Sequence, residues 1–154
     1  MYKRQVYNVL DAIRDHLQAD VNVNHVSFGD FRDVDIDKTT IFPVSHFWMN
    51  KASMEGQTIR FTIDLMCLDV VDQTKEYENS FYGATNLQDV LNTQLQVVNG
   101  LIESVRGNRG ALAEEQYVLV NNPEAEMLYE EFENKLAGWG ISFVIDVPND
   151  ISSC

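Results

Sequence analysis

Residues 58–69 constrain the fold most strongly, because apolar and polar side chains alternate there with a period of two. This period places successive side chains on opposite faces of a β-strand. We therefore predict a strand with one face in the core, and it needs a sheet and a covering layer to bury that face. The alternating apolar positions are Ile59, Phe61, Ile63, Leu65 and Cys67, and the polar ones are Thr58, Arg60, Thr62 and Asp64.

The preceding segment, residues 39–50, is a second predicted strand that forms a hairpin with the first. It is rich in the β-branched and aromatic residues that favour strands. Pro43 has no amide proton to give to a central strand, so we expect this strand to lie at an edge or to contain a bulge. Residues 50–56 are polar and are predicted to connect the two strands.

A first helix is predicted from apolar residues at steps of three and four, which place one apolar stripe on a helical surface. These residues are Val6, Val9, Leu10, Ile13 and Leu17.

A second helix is predicted to begin at residues 85–88, where Thr85 and Gln88 have the spacing of a capping box. It should extend to about Arg106 and end before Gly107. Its predicted apolar stripe is Leu87, Leu91, Leu95, Val98, Ile102 and Val105.

Three further segments are predicted strands: residues 21–28, residues 117–120, and residues 141–147, which Pro148 ends. Residues 123–136 fit two structures. Pro123 and the glutamates after it suit a helix start, whereas Leu128 to Leu136 alternate as a strand would. The predicted fold is α+β, with a mainly antiparallel twisted sheet and two helices packed on one face, and 154 residues fit one domain spanning residues 1–154.

The formal net charge of −13 disfavours partners that carry phosphate, because DNA and anionic lipid are bound through lysine and arginine. An acidic excess also fits a solvated surface with no special role. Cys67 and Cys154 give no disulfide framework, which indicates a reducing compartment. No apolar run approaches 18 residues, so we expect no membrane span and no signal peptide.

No residue pattern predicts a metal site. His16, His25 and His46 lack the spacing of metal ligands. The acidic triplet at positions 33, 35 and 37 starts like a calcium loop, but Lys38 replaces the required glycine and Val44 the bidentate glutamate. We expect this triplet to be a charged loop or a strand edge that discourages pairing.

No residue pattern predicts catalysis either. The nucleophile-elbow and phosphate-binding glycine motifs are missing from the sequence, and Cys67 lies on the predicted buried face. Glu130, Glu131 and Glu133 are predicted to form a solvated face. We therefore expect no enzyme, no catalytic residue and no cofactor.

The order of elements and three strings resemble the tail terminator or tail completion proteins of tailed bacteriophages. The resemblance spans most of the chain, but none of the strings is a catalytic signature. The strings are Phe28-Gly29-Asp30 with Val34-Asp35, then Thr40-Ile41-Phe42-Pro43, and finally Phe132-Glu133-Asn134 to Leu136-Ala137-Gly138-Trp139, which continues into residues 141–149.

The resemblance implies a virion ring, commonly of six copies, at the head-proximal end of the tail, which stops growth of the tail tube. Its implied partners are other copies of the chain, the tail tube protein and a neck or connector protein, with assembly in the host cytoplasm. The genome would pass through an acidic lumen without specific binding. The resemblance also implies that residues 132–136 are extended.

Two alternatives remain beside the ring: a tube or neck connector subunit of the same machinery, and a small enzyme or ligand-binding domain with an unmarked site. For the ring, a head-to-tail contact must close on itself. Exposed strand edges can be completed by a neighbouring chain. The predicted interface residues are Phe42, Phe47, Trp48, Met49, Met54, Arg106, Arg109 and Trp139.

Overall fold

A computed structural model describes residues 5–29, 42–71, 86–107, 117–129 and 136–148 of the chain. These residues form two helices and one six-stranded sheet, so the α+β prediction is confirmed. In chain order the elements are α1 (Gln5–Gln18), β1 (His25–Phe28), β2 (Val44–Met54), β3 (Thr58–Val70), α2 (Leu87–Gly107), β4 (Val118–Leu119), β5 (Ala125–Tyr129) and β6 (Leu136–Pro148).

The sheet is built around β3, which pairs antiparallel with β2 on one side and with β6 on the other. Every residue of β3 has a partner in β6. On the far side of β6, β4 and β5 both pair antiparallel with it, at different positions along its length. At the other end of the sheet, β1 pairs parallel with the first part of β2.

Both helices pack on one face of the sheet and bury the main core there. The alternation that predicts β3 is confirmed, because Ile59, Phe61, Ile63, Leu65 and Cys67 all belong to this core. The first helix supplies Val9, Ile13 and Leu17 to it, whereas Val6 in the first turn stays 46% exposed. We call this side of the sheet the helix-covered face and the opposite side the open face.

The open face is apolar at one end of the strands and charged at the other. At one end a smaller apolar cluster of Val44, Met66, Leu68 and Leu136 is buried. At the other end Arg60 and Asp146 lie directly opposite each other on β3 and β6. Their side chains form two parallel contacts, Nε to Oδ1 at 2.8 Å and Nη2 to Oδ2 at 3.2 Å.

The second strand differs from its predicted bounds of residues 39–50. It begins after Pro43 and continues to Met54, so most of the predicted polar connection is strand. Pairing with β3 explains the extension, because Lys51 to Met54 each have a partner in Thr62 to Ile59. The predicted bulge is present between Met49 and Lys51, but β1 covers the first part of β2, which is therefore not an edge there.

The second helix begins as predicted and extends one residue past its predicted end, to Gly107. Most of its predicted stripe is confirmed, since Val98, Ile102 and Val105 lie in the main core and Leu87 and Leu91 pack on a smaller cluster. Leu95 is the exception, because it is 41% exposed while Gln94 beside it is fully buried. Asn86 accepts the first helical hydrogen bond from the Val90 amide at 3.0 Å, and Thr85 of the predicted capping box lies outside the described residues.

The first predicted strand is shorter in the structure, and the ambiguous segment near the C-terminal strand contains a strand. The first strand is restricted to His25–Phe28, and Val21 lies in a turn with 92% of its surface exposed. Within the ambiguous residues 123–136, Ala125–Tyr129 form a strand, because β6 offers them an unpaired edge. Residues 132–135, which the resemblance implies to be extended, lie outside the described part of the chain.

Candidate interaction surfaces

One end of the sheet exposes a group of aromatic side chains. Phe28, at the end of β1, is 48% exposed, and Trp48, on β2, is 40% exposed. The Phe28 ring lies edge-on to Phe47 at 5.4 Å and tilted against Trp48 at 5.2 Å. Tyr7 on α1 is 57% exposed and lines the same surface. Exposed tryptophan, tyrosine and phenylalanine in one patch are typical of protein interfaces.

A groove of about 220 Å³ separates α1 from β1 at this end of the sheet. Its apolar lining is Tyr7, Leu10, Val26, Phe28 and Phe47. On its rim the Arg14 guanidinium contacts two carboxylates of its own helix, those of Asp11 and Asp15 at 3.3 and 3.2 Å. The groove is therefore apolar inside, with its polar groups already paired to one another.

The backbone of β2 is also unpaired at this end. The strand continues past Phe47 to Met54, but among the described residues β1 alone pairs with its outer side, and β1 ends opposite Phe47. Side chains on this free stretch include Trp48, exposed Lys51 and Met54, whose surface is 76% exposed. We call the surface formed by Tyr7, Phe28, Trp48 and this free stretch the aromatic edge.

His46 fixes β1 to β2 next to the aromatic edge. Its ring is 2% exposed and lies between two groups at the end of β1. Nε2 donates to the Gly29 carbonyl oxygen at 2.7 Å, and Nδ1 lies 2.6 Å from the Ser27 hydroxyl. His46 therefore holds β1, a strand of only four residues, against β2 through these buried contacts.

The opposite end of the sheet is formed by β4 and β5, which pair with one side of the same strand. Leu119 lies opposite Ile145 and Ala125 opposite Ile141, so residues 120–124 face the shorter stretch 142–144. Asn121 completes the interrupted ladder, since its Oδ1 accepts from the Val144 amide at 2.9 Å. β4 and β5 thus form one edge with a two-residue excess in its middle.

This second edge exposes aliphatic side chains and carboxylates. The apolar side chains are Val118 at 59%, Val120 at 40% and Met127 at 53% exposure. Glu124 and Glu126 are also exposed, and neither pairs with a cation in the described part of the chain. We call this surface the aliphatic edge.

A wider groove of about 520 Å³ lies on the open face beside the aliphatic edge. Asp64, Glu124 and Glu126 contribute carboxylates to its lining, and Gly140 and Leu128 are among its other lining residues. Over the described ranges, the structure contains no cluster of three or more histidine, cysteine, aspartate or glutamate side chains able to hold a metal ion.

The predicted interface residues do not form one surface. Trp48 and Met54 belong to the aromatic edge, while Met49 is partly buried against the core. Phe47 is 2% exposed in the chain's own core, so it is not a surface residue, although its ring supports Phe28. Phe42 packs on the small open-face cluster.

The remaining predicted interface residues lie away from the aromatic edge. Trp139 is partly buried and donates its indole N–H to the Leu91 carbonyl oxygen at 2.8 Å, which joins β6 to α2. The Arg106 guanidinium forms an ion pair with Glu103 at 2.6 Å within α2. Arg109 lies outside the described residues.

Sequence reasoning missed Tyr7, Phe28 and the exposed apolar residues of β4 and β5. These residues look like ordinary core residues in the sequence, and Tyr7 is adjacent to the predicted helix stripe. Phe28 and the residues of β4 and β5 are exposed because their strands lie at the two ends of the described sheet, and Tyr7 is on α1 beside one of these ends. Strand order is a long-range property, so no local signal reports it.

The groups considered for catalysis or metal binding form no metal-binding cluster where the structure describes them. Burial raises the pKa of the Cys67 thiol to about 12, so it stays protonated at neutral pH. Burial also lowers the pKa of His16, against an opposing effect of the Asp20 carboxylate. His25 is exposed on β1, and the acidic triplet at positions 33, 35 and 37 lies outside the described ranges.

The chain matches no protein-family model, and no curated protein is significantly similar to it in sequence. Neither described helix is long and apolar enough to cross a membrane.

Proposed function

We propose that the chain is a structural virion protein that forms a ring at the head-proximal end of a phage tail. There it would end growth of the tail tube and join the tube to the neck. The observation that carries this proposal is the sheet formed by the described residues, because both of its ends expose apolar side chains. The outer backbone of β2 beyond Phe47 also has no strand partner among these residues. A surface of this kind suits a protein neighbour on each side.

A ring requires a head-to-tail contact in which two different surfaces of the subunit meet. The aromatic and aliphatic edges are different surfaces at opposite ends of one sheet. An assembly through them would place each copy between two others, as a ring of the phage-tail kind needs. The order of elements seen in the fold is also the order on which the sequence resemblance rests.

The charge of the chain is compatible with a ring through which DNA passes. At a net charge of −13, phosphate contacts are repulsive, so a lumen of the same sign would not retain the genome. A filter-binding assay at low salt should therefore show no retention of duplex DNA by the assembled protein. Retention comparable to that of a basic DNA-binding protein would contradict this part of the proposal.

Electron microscopy combined with sedimentation analysis tests the function directly. We expect closed rings of one size, with sixfold class averages, and we expect them to sit at one end of tail tubes when added to polymerising tube protein. Stacks that lengthen into tubes would instead favour a tube subunit. A chain that stays monomeric at high concentration and never binds tube ends would contradict the proposal.

A further inference from the structure

We propose that the occupant of the aromatic edge is the aliphatic edge of a second copy of this chain. The inference rests on the proposed function, since it names the surfaces that would meet in the ring. Its first support is the distribution of exposed apolar side chains. Eight of the eleven exposed large hydrophobic residues that the structure describes lie at the two ends of the sheet, and Val21, Val70 and Leu95 belong to neither edge. The residues toward one end are Val6, Tyr7, Phe28, Trp48 and Met54, and those at the other are Val118, Val120 and Met127.

The side chains of the aliphatic edge are also of a kind that would fit the groove of the aromatic edge. The aromatic edge contains a groove of about 220 Å³ between α1 and β1, with an apolar lining. The aliphatic edge has no aromatic side chain among its exposed apolar residues; it presents Val118 and Met127, which are small or unbranched. An unbranched thioether adapts to irregular apolar gaps and packs well against aromatic rings.

Strand direction permits the same pairing. β2 runs antiparallel to β3, β3 antiparallel to β6, and β6 antiparallel to both β4 and β5. β2 is therefore antiparallel to β4 and β5, and copies related by a simple head-to-tail step would bring the two edges together with opposite strand directions. Antiparallel addition to the free stretch of β2 would satisfy its outward backbone groups.

Among the described residues, the charges left unpaired on the strands of the two edges are of opposite sign. Lys51 lies on the free stretch of β2 and forms no ion pair with a described residue. Glu124 and Glu126, at the aliphatic edge, are likewise unpaired within the described ranges. Register places Lys51 opposite Thr62 and Glu126 opposite Gly140, so both side chains are on the open face. A lysine on one edge would thus meet glutamates on the other, which favours this pairing over either edge with itself.

Complementary single-edge variants test this inference. Trp48→Asp places a charge on the aromatic edge, at a position that is 40% exposed, and Met127→Asp places one on the aliphatic edge, at a position that is 53% exposed. Because both positions are exposed, the fold should tolerate both variants. Each variant alone should lose ring formation, with association weakened about thirtyfold or more. Mixed together, they should form a one-to-one dimer and nothing larger, because just one intact pair of edges remains.

The matched control is Val21→Asp, which adds the same charge at a turn position that is 92% exposed and belongs to neither edge. It should assemble as the wild type does. Circular dichroism should confirm that all three variants are folded.

The outcomes separate this inference from the proposed function. Rings from the wild type and from both single variants would overturn the edge assignment and leave the function standing. Loss of rings in both variants with no one-to-one heterodimer in the mixture would also overturn it. Homodimers of each single variant would then show that each edge meets its own kind. A wild type that forms no ring would contradict the proposed function itself.

Discussion

At the scale of single residues, Gly138 shows how closely β3 and β6 approach. A Cβ atom at this position would lie 1.8 Å from the Cys67 carbonyl oxygen, which is backbone and cannot move aside. At Gly140, two residues along the same strand, the nearest atom is Cδ1 of the Leu128 side chain at 3.2 Å. The two glycines therefore differ in what an added methyl group would displace.

We expect Gly138→Ala to lower the free energy of unfolding by about 3 kcal/mol or more, because the added carbon forces the two central strands apart. Gly140→Ala is the matched control and should cost about 1 kcal/mol or less, since a leucine side chain can change rotamer. Urea unfolding of both variants measures the difference. Equal stability of the two variants would show that the strands do not approach as described.

Gln94 is a second residue whose burial has a consequence for stability. Its side chain is fully buried on α2, and neither its Nε2 nor its Oε1 has a hydrogen-bond partner among the residues that the structure describes. An unsatisfied buried amide opposes folding, because it loses its hydrogen bonds to water and gains none.

Replacing Gln94 with methionine should raise the free energy of unfolding by about 1–3 kcal/mol, since methionine keeps a similar volume and removes the cost of desolvating the amide. Gln96→Met, at an exposed position on the same helix, should change it by less than about 0.5 kcal/mol. Thermal and urea denaturation give both values. A Gln94→Met variant less stable than the wild type would show that the amide does have a partner.

At the scale of elements, the interrupted edge formed by β4 and β5 depends on one side chain. Asn121 accepts a hydrogen bond from the Val144 amide and replaces a backbone partner that the two-residue excess removes. The neighbouring Val120 amide donates to the Val144 carbonyl oxygen at 2.9 Å, so both the N–H and the C=O of Val144 are hydrogen-bonded to this edge.

We expect Asn121→Ala to lower the free energy of unfolding by about 1–2 kcal/mol and to speed hydrogen exchange at the Val144 amide, because that amide loses its partner. Asn122→Ala, one residue away and exposed, is the control and should leave exchange at Val144 unchanged. Exchange followed by NMR separates the two. Unchanged protection in the Asn121 variant would mean that another group holds the amide.

Some features of the helices and strands can be predicted from the local sequence, and others cannot. The alternation in residues 58–69 predicts β3 because a half-buried strand needs that period wherever it lies in a sheet. Most of the apolar stripe of α2 is predicted from its spacing as well, but the burial of Gln94 in place of Leu95 is not, since Leu95 is the more apolar residue. The extension of β2 to Met54 depends on its partners in β3, and the exposure of Phe28 depends on β1 being the end strand of the described sheet. Periodicity can be seen in the local sequence, whereas strand order and the burial of a residue such as Gln94 depend on contacts between distant segments.

At the scale of the whole molecule, the excess of acidic groups acts on the fold as mutual repulsion. The chain has 24 aspartates and glutamates against 11 lysines and arginines. Three of the described ion pairs are exposed contacts within a helix, which contribute little, and Arg60 with Asp146 is the single cross-strand pair among them. Net repulsion therefore outweighs surface pairing.

Added neutral salt should stabilise the fold, because screening weakens repulsion between like charges spread over the surface. We expect a gain on the order of 1 kcal/mol between low and moderate ionic strength, which corresponds to about 2–4 °C in Tm. Thermal denaturation in sodium chloride and potassium chloride series at matched ionic strength provides the measurement. A Tm that falls in both series would indicate that paired charges dominate instead.

The complete ladder between β3 and β6 also makes the molecule mechanically anisotropic. A force along the strands would load all of their paired residues at once, because every residue of β3 has a partner in β6. A force that pulls the two ends of the sheet apart would instead separate the paired residues of β3 and β6 one after another. In the proposed ring, neighbours bound at the two ends of the sheet would pull the subunit in this weaker direction. The helices, which pack across β3 and β6, would then resist the separation of the strands.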